Sequence, residues 1–489
     1  MKYNVTIGME VHAELKTESK MFCACKNGLG MEKEPNVHIC PVCTGQPGAL
    51  PVPNRRAIES VQRVGLALDC EMAKHAKFDR KNYFYPDLPK GYQISQYDEP
   101  FCGMGSIGVD GKKFRVTRIH LEEDTGKLMH PDGADYTLVD YNRSSVPLME
   151  LVTEADFTTG KEARAFCQKL RQTLRYLDVS NADMEKGQMR CEVNLSLYPD
   201  GAERLSGTKV EVKNINSFKA VEKAIDFEIK RQAEVLEAGG SLVQETRGWD
   251  ENRGETVSQR KKESAHDYRY FPEPDIPPFD FSEEYFDALR KTLPELPDAK
   301  VARFQGEYDL PLADASVLTE DREFSEYFEK VASELAEKKS GHEIDGDEKK
   351  AFKLSANYLI TEVRKHLAGE NKTVKELSFT AENYAEFIGL IVDGKINSSA
   401  AQTVLAEMYR GGDNDPTHIV ERLDLSQLSD TGALEATVDA ILACNEKSVA
   451  DYLAGKQNAF QFLIGQIMKE TKGKANPKMV SEILQKKLQ

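Results

Sequence analysis

The sequence predicts an α+β chain, a largely antiparallel sheet domain followed by helices. Three observations carry this. Short segments before about residue 290 alternate apolar and polar side chains with the period of half-buried strands. The proline-rich run Phe271-Pro-Glu-Pro-Asp-Ile-Pro-Pro then breaks the pattern, because its prolines can neither donate to a sheet ladder nor continue a helix. Beyond it the apolar residues recur with helical period. At 489 residues the chain has room for roughly three domains.

The first strand is Val5-Thr-Ile-Gly-Met-Glu-Val-His-Ala, with Val5, Ile7, Met9 and Val11 on one face and Gly8, Glu10 and His12 on the other. A helix follows from the spacing of Ala163, Phe166, Leu170, Leu174 and Leu177. Arg190-Cys-Glu-Val-Asn-Leu-Ser-Leu is a second strand, with Val193, Leu195 and Leu197 inside and Glu192, Asn194 and Ser196 outside; Lys209-Val-Glu-Val-Lys is a third. A second helix starts near Lys219 and stops at Gly239-Gly240, which suits a C-terminal cap. The single tryptophan, Trp249, falls in a polar stretch that reads as loop. After the proline run, residues 284–293 and 324–335 read as helices, and the charged residues 337–350 as an exposed loop or frayed helix. Arg410-Gly-Gly-Asp-Asn-Asp-Pro is a polar turn cluster that marks a second boundary.

Composition narrows the function classes. A formal net charge of −16 argues against a chain that wraps nucleic acid over its whole surface. No run approaches the ~20 apolar residues of a membrane span, so no membrane association is expected. The N-terminus carries neither an apolar signal core nor an Arg/Ser-rich presequence, and five of the cysteines are scattered singly, so a reducing cytoplasm is the expected compartment. Locally the charge reverses: residues 469–489 carry Lys469, Lys472, Lys474, Lys478, Lys486 and Lys487 against Glu470 and Glu482. That patch suits phosphate contacts or a solvated helix face.

Two groups of residues carry metal chemistry. Cys23, Cys25, Cys40 and Cys43 stand as C-x-C and C-x-x-C with fourteen residues between. Two close thiolate pairs suit a tetrahedral zinc ion at about 2.3 Å per ligand. Two disulfides or free buried thiols are the alternatives; zinc is the expectation, and four thiolates would make it a closed structural site. The second group lies on the polar strand faces. Glu10 and His12 project the same way, roughly 6–7 Å apart along the strand. Glu192 and Glu211 occupy similar faces, and His120-Leu-Glu-Glu-Asp-Thr-Gly-Lys adds Glu122, Glu123, Asp124 and Lys127. Carboxylates and an imidazole on one face of a sheet would cradle a hard cation such as magnesium, although any one of these glutamates alone reads better as a solvated surface residue.

A third constellation, residues 78–97, packs Arg80, Lys81 and Lys90 among Tyr83, Phe84, Tyr85, Tyr92 and Tyr97. Cations interleaved with aromatics suit a phosphate beside a stacked base, or a structured loop packed on the core. No G-x-x-x-x-G-K-[ST] motif is present, so a nucleotide would bind without a P-loop. The glycines after Cys102 read as hairpin turns.

Long stretches resemble one family. Ile7-Gly-Met-Glu-Val-His, Phe78-Asp-Arg-Lys-Asn-Tyr-Phe-Tyr-Pro-Asp, His120-Leu-Glu-Glu-Asp-Thr-Gly-Lys and Asp140-Tyr-Asn-Arg-Ser-Ser-Val-Pro-Leu-Met-Glu are similar to the GatB/GatE family of tRNA-dependent amidotransferase subunits. So are Met189-Arg-Cys-Glu-Val-Asn-Leu-Ser, Lys213-Asn-Ile-Asn-Ser-Phe, Gln244-Glu-Thr-Arg-Gly-Trp and His266-Asp-Tyr-Arg-Tyr-Phe-Pro-Glu-Pro-Asp, and Gly465-Gln-Ile-Met-Lys resembles the family's YqeY-like tail. The resemblance is collinear over the whole chain. It implies an enzyme that uses ATP and Mg²⁺ to phosphorylate the side-chain carboxylate of misacylated Glu-tRNA(Gln) or Asp-tRNA(Asn), which ammonia from a partner amidase then converts to the amide. An amidase subunit (GatA) and a small subunit (GatC) would complete a heterotrimer.

Carried onto this sequence, the resemblance implies a magnesium set of Glu10, His12, Glu123 and Glu211, with Glu192 close by; alternation alone leaves Glu122 and Glu123 equivalent. Glu192 departs from the family's usual aspartate, which keeps the charge, lengthens the reach and puts its metal contact in question. Arg80, Lys81, Lys90 and Tyr92 would meet ATP phosphates or the acceptor end, and Lys127, Lys213 and Asn214 the acyl phosphate. The cysteine quartet would hold structural zinc, and Lys472, Lys474 and Lys478 would touch tRNA. The implied domains are a catalytic cradle at 1–292, a helical domain at 293–405 and the tail at 406–489. A non-catalytic binding module and a stand-alone ligase or hydrolase are the competing classes; the first predicts no ATP turnover, the second activity without tRNA.

Overall fold

The computed structural model describes residues 3–29, 32–261, 268–427, 431–471 and 473–488. The chain divides into two compact units, Met1–Pro297 and Asp298–Gln489.

In the first unit, β1 (Tyr3–Glu14) leads to α1 (Arg55–Ala67), the short strands β2 (His75–Ala76), β3 (Asp79–Asn82) and β4 (Tyr92–Ser95), and the hairpin β5 (Gly105–Val109) and β6 (Lys112–Glu123). A second hairpin, β7 (Lys127–Met129) and β8 (Leu138–Asp140), precedes β9 (Pro147–Thr153) and α2 (Gly160–Tyr176). β10 (Met189–Pro199), β11 (Val210–Ile215), α3 (Phe218–Glu237), β12 (Glu245–Asp250) and β13 (Glu255–Lys261) follow, then β14 (Phe271–Pro272), β15 (Phe279–Asp280) and α4 (Glu283–Arg290). The main sheet has eight strands in the order β13-β12-β11-β10-β1-β9-β6-β5. Every pairing in it is antiparallel except β11 with β12, which are joined through α3.

The expected alternation positions the core. Ile7, Met9 and Val11 of β1 and Val193, Leu195 and Leu197 of β10 are buried. All but Leu197 share one cluster with Phe166 and Leu170 of α2 and Val221 and Ile225 of α3, so the helices cover the apolar face and leave the other for polar groups. Thr159 and Ser217 cap α2 and α3 by accepting from Glu162 and Ala220 N–H groups. After α3, Gly239 takes φ +77°, the left-handed cap that its sequence suggests.

Two readings change. Trp249 lies on β12 and is buried, its indole N–H donating to Glu251 at 2.6 Å. The stretch looks polar because its charged residues pair laterally, Arg247 with Glu245 and with Glu228 of α3. The proline-rich run, expected to break the strand pattern, takes part in two short sheets. Phe271 and Pro272 pair with Arg80 and Asp79, and Phe279 and Asp280 with Ala76 and His75, so the run straps back onto the first unit. Pro272 tolerates this because β14 is the edge of its three-stranded sheet.

The second unit is helical: α5 (Pro297–Tyr308), α6 (Leu312–Leu318), α7 (Arg322–Ser340), α8 (Glu348–Tyr358), α9 (Arg364–Glu370), α10 (Ala381–Val392), α11 (Ser398–Arg410), α12 (Pro416–Arg422), α13 (Thr431–Cys444), α14 (Glu446–Leu453), α15 (Gln457–Glu470) and α16 (Pro477–Leu488). The charged residues 337–350 are largely ordered, α7 running to Ser340 and α8 starting behind its Asp347 cap. One apolar core extends from Phe304 to Val420 and a separate one from Leu434 to Leu488. The turn after Arg410 is therefore internal to the first of these cores: Gly411 ends α11, Asp415 caps α12, and Ile419 and Val420 return to the same apolar cluster. Residue 405 falls within α11. No described helix is long and apolar enough to cross a membrane.

Candidate active site on the open face of the sheet

Cross-strand register builds the first part of the site. His12 of β1 and His120 of β6 both stand opposite Glu150 of β9. Each imidazole Nε2 lies 3.2 Å from Glu150 Oε2, and Glu122 Oε1 is 4.0 Å from His12 Nε2. Burial disfavours charge on Glu150, yet the two imidazoles outweigh it and hold the carboxyl well below its usual range. Burial likewise opposes the charged form of His120, but Glu150 and Glu122 carry it up to about 9, and His12 is raised for the same reason. Lys81 of β3 faces this group; burial lowers its ammonium, and Glu122, Tyr270 and Glu150 more than compensate.

The second part sits one step along β1. Glu10 pairs directly with Glu192 across β1 and β10. A register shift between Cys191 and Val193 in the β10–β11 ladder brings Glu211 alongside, and ligand oxygens of Glu10, Glu192 and Glu211 lie within 4.8 Å of one another. Lys213 Nζ donates to Glu192 Oε2 at 2.7 Å and lies 3.4 Å from Glu211 Oε1. Asn194 donates to Glu10 Oε1 and Thr246 to Glu211 Oε2, both at 2.7 Å. Burial raises the Glu10 carboxyl, and repulsion from Glu150, Glu192 and Glu211 raises it further. An all-oxygen donor group under such mutual repulsion fits a hard divalent cation, and His12, Glu122 and Glu150, also within 4.8 Å of one another, form a second candidate group.

The structure does not bring together all the residues expected there. Glu123 points away from Glu10, His12 and Glu211: its carboxylate takes Lys90 Nζ at 2.7 Å and the Ile94 N–H at 2.9 Å. The strand period is the reason, since His120 and Glu122 share one face of β6 and Glu123 lies on the other. Lys90 is thereby committed to an internal ion pair. Arg80 is committed too, held bidentately by Glu273 at 2.7 and 2.8 Å and stacked 4.3 Å over the Tyr92 ring. Asn214 adopts φ +60° and is exposed, and Lys127 is exposed at the start of β7. Glu150 was not singled out from sequence, although a lone carboxylate inside the apolar run of β9 is a legible signal.

The cysteine quartet converges. All nine cysteines are free thiols, and the Sγ atoms of Cys23, Cys25, Cys40 and Cys43 lie within 4.8 Å of one another, as zinc ligation requires and disulfide pairing does not. Lys20 is wholly buried, its Nζ 3.7 Å from Cys43 Sγ and 3.2 Å from the Tyr141 carbonyl. A buried ammonium needs nearby negative charge, which thiolates holding a metal would supply. In the tail, Lys474 pairs with Asp424 and Lys478 lies on α16, while Lys472 falls outside the described residues.

A sheet face that gathers carboxylates, imidazoles and Lys213, with Lys81 of β3 facing it, is the arrangement of a catalytic rather than a purely structural domain. The family model described as the GatB/GatE catalytic domain matches residues 5–287, and the one described as the GatB domain matches residues 345–488. The B subunit of the aspartyl/glutamyl-tRNA(Asn/Gln) amidotransferase of Caldanaerobacter subterraneus subsp. tengcongensis is 48% identical over 492 residues, covering 100% of both chains. Its counterpart in Carboxydothermus hydrogenoformans is 47% identical over 494 residues, covering 100% of this chain and 99% of the relative. That of Brevibacillus brevis is 46% identical over 491 residues, with the same coverage. The chain belongs to the GatB/GatE family, and it is an enzyme subunit of the amidotransferase class.

Proposed function

We propose that the chain is the ATP-dependent subunit of a tRNA-dependent amidotransferase, acting on Glu-tRNA(Gln), Asp-tRNA(Asn) or both. The observation that carries this is two acidic clusters on one face of the main sheet, with Lys213 beside one of them on that face and Lys81 of β3 facing the other, in a chain of this family. A free carboxylate is a poor electrophile. In the first step a carboxylate oxygen of the substrate attacks the γ-phosphorus of ATP, forming an acyl phosphate and releasing ADP. In the second, ammonia attacks the acyl carbon; phosphate departs, a proton is released, and the amide remains. Charge builds on phosphoryl oxygens in the first step and on the departing phosphate in the second, where preorganised ammonium groups stabilise most. Lys213, beside Glu192 and Glu211, and Lys81, facing Glu122 and Glu150, would serve that purpose.

Glu10, Glu192 and Glu211, and His12, Glu122 and Glu150, would hold magnesium, which neutralises nucleotide phosphates. Glu192 reaches this group despite being one methylene longer than the family's usual aspartate. The four thiolates would hold zinc as a structural ion that firms the knuckle. Ammonia would come from a partner amidase subunit (GatA) that hydrolyses glutamine or asparagine, with a small subunit (GatC) completing the heterotrimer. The tail lysines Lys474 and Lys478, together with Lys472, would contact tRNA phosphates, positioning without reading sequence. A cytoplasmic setting goes with this chemistry.

The test combines the chain and its amidase partners with Glu-tRNA(Gln), glutamine, ATP and magnesium, and compares the wild type with Glu10→Ala. Gln-tRNA should form with the wild type and vanish with the variant while glutaminase activity persists. Full amide formation by Glu10→Ala would remove the strand carboxylates from the mechanism.

A further inference from the structure

Lys20 has no exposed surface, and its ammonium meets no carboxylate among the described residues. Its acceptors are Cys43 Sγ at 3.7 Å and the Tyr141 carbonyl at 3.2 Å. An ammonium stripped of water without a carboxylate beside it is costly. The chain nevertheless builds a turn around it. The Lys20 N–H donates to the Cys25 carbonyl at 2.9 Å and Ser19 bridges to Lys26, so Cys23 and Cys25 lie within the same turn. Four thiolates around a divalent zinc ion would carry an excess of negative charge, and a cation set against one sulfur offsets it.

The second acceptor leads away from the cysteines. Tyr141 opens residues 141–146, which join β8 to β9, the strand of Glu150. This segment is sewn to the knuckle at further points. The Val37 and His38 N–H groups donate to Asn142 Oδ1 at 2.8 and 3.0 Å, and Ser144 Oγ donates to the Cys43 carbonyl at 2.9 Å. The Met21 N–H donates to the Ser145 carbonyl at 2.7 Å. Ser145 itself is held at φ +67°, a conformation that costs a residue with a side chain and persists where its neighbours fix it. On its other side the segment reaches the chain just beyond β6, where Arg143 donates to the Thr125 and Gly126 carbonyls at 3.0 and 2.7 Å.

We infer that Lys20 is a positioning residue of the cysteine knuckle: its ammonium offsets the charge of the metal-bound thiolates and, through the Tyr141 carbonyl, couples zinc binding to the order of residues 141–146 at the entrance of β9. The inference rests on the zinc reading proposed above. Loss of the ion removes the charge that holds Lys20 against Cys43, so the tie at Tyr141 loosens with it. The bonds from Met21 and Ser144 run between the same two segments and loosen together with that tie.

Competition for zinc between the full chain and a chromophoric chelator tests this. Lys20→Met keeps most of the side chain's length without its charge and should weaken zinc by about 10–100-fold, the usual effect of removing a group behind a metal ligand. Lys20→Gln keeps a donor for Tyr141 without the charge; it should hold the fold and still bind zinc more weakly than wild type. With cobalt(II) in place of zinc, the thiolate-to-metal charge-transfer band of both variants should move to longer wavelength, because losing a neighbouring cation raises the sulfur electrons in energy. Hydrogen exchange in residues 141–146 should quicken when zinc is chelated from the wild type, and respond less to chelation in Lys20→Met. Wild-type zinc affinity in both variants overturns the inference, as does a Lys20→Met urea midpoint that falls equally with and without zinc, the mark of a packing role alone. Exchange in residues 141–146 that ignores zinc in the wild type overturns the coupling. A wild-type chain that takes up no zinc would sink the zinc reading itself.

Discussion

Glu122 and Glu123 are neighbours in sequence with opposite employment. Both are buried: Glu122 faces His12, His120 and Lys81 on one side of β6, and Glu123 meets Lys90 and the Ile94 amide on the other. Their substitutions test different contacts. Glu122→Gln keeps size and packing but withdraws the charge that faces Lys81, His12 and His120, so amide formation should be lost and the urea midpoint should fall as well. Glu123→Gln leaves the Lys90 ammonium without its carboxylate and should cost about 3–5 kcal/mol of stability, as breaking a buried pair does. Full amide formation by Glu122→Gln would refute this division. Alternation alone puts one of the pair on the site face without saying which, because register across β9 decides it. Lys20 was invisible for a related reason: a lone lysine ahead of the cysteines reads as surface until the fold wraps Tyr141 and Cys43 around it.

Among the elements, strands that face a covered apolar layer and an open polar one were legible, as β1, β10 and β11 illustrate. β12 was not, because Arg247 and Glu245 satisfy one another and Glu228 inside the structure and so erase the hydropathy signal. The segment after β9 shows what such polar clamps do. Asp156 is gripped by Arg115 of β6, at 2.6 and 2.8 Å, and by Arg204 from the loop between β10 and β11, and this fixes the segment where it crosses Gly8. The Arg115 bonds outweigh burial and lower the Asp156 carboxyl from 3.8 to about 2. Because the folded value lies below the unfolded one, the clamp contributes in full above about pH 4. Its contribution disappears as pH falls toward 2. Asp156→Asn should accordingly be less stable than wild type at pH 7, with the gap closing as pH drops from 4 to 2. Urea midpoints taken across that range measure it, and a gap independent of pH would show that the carboxylate charge is irrelevant.

At the scale of the molecule, the change from sheet to helix was readable because hydrophobic period differs on either side of the proline strap, although the strap itself folds back rather than linking. The turn at residues 410–416 misled as a boundary because polar turn residues report a chain reversal and not the end of a core. What marks a core is which apolar side chains meet, and Phe304, Phe328 and Phe352 meet in the second unit with Ile419 and Val420. Phe328 has no exposed surface and lies 5.2 Å from the rings of both Phe304 and Tyr308. Since this unit buries two apolar clusters of its own, residues 298–489 expressed alone should give helical circular dichroism and a cooperative urea transition. Phe328→Ala in that fragment should lower stability by about 3–5 kcal/mol through lost burial and the cavity left behind. A fragment that is helical but melts without a cooperative transition, or that ignores the substitution, would mean that its core is completed only in the presence of the sheet unit.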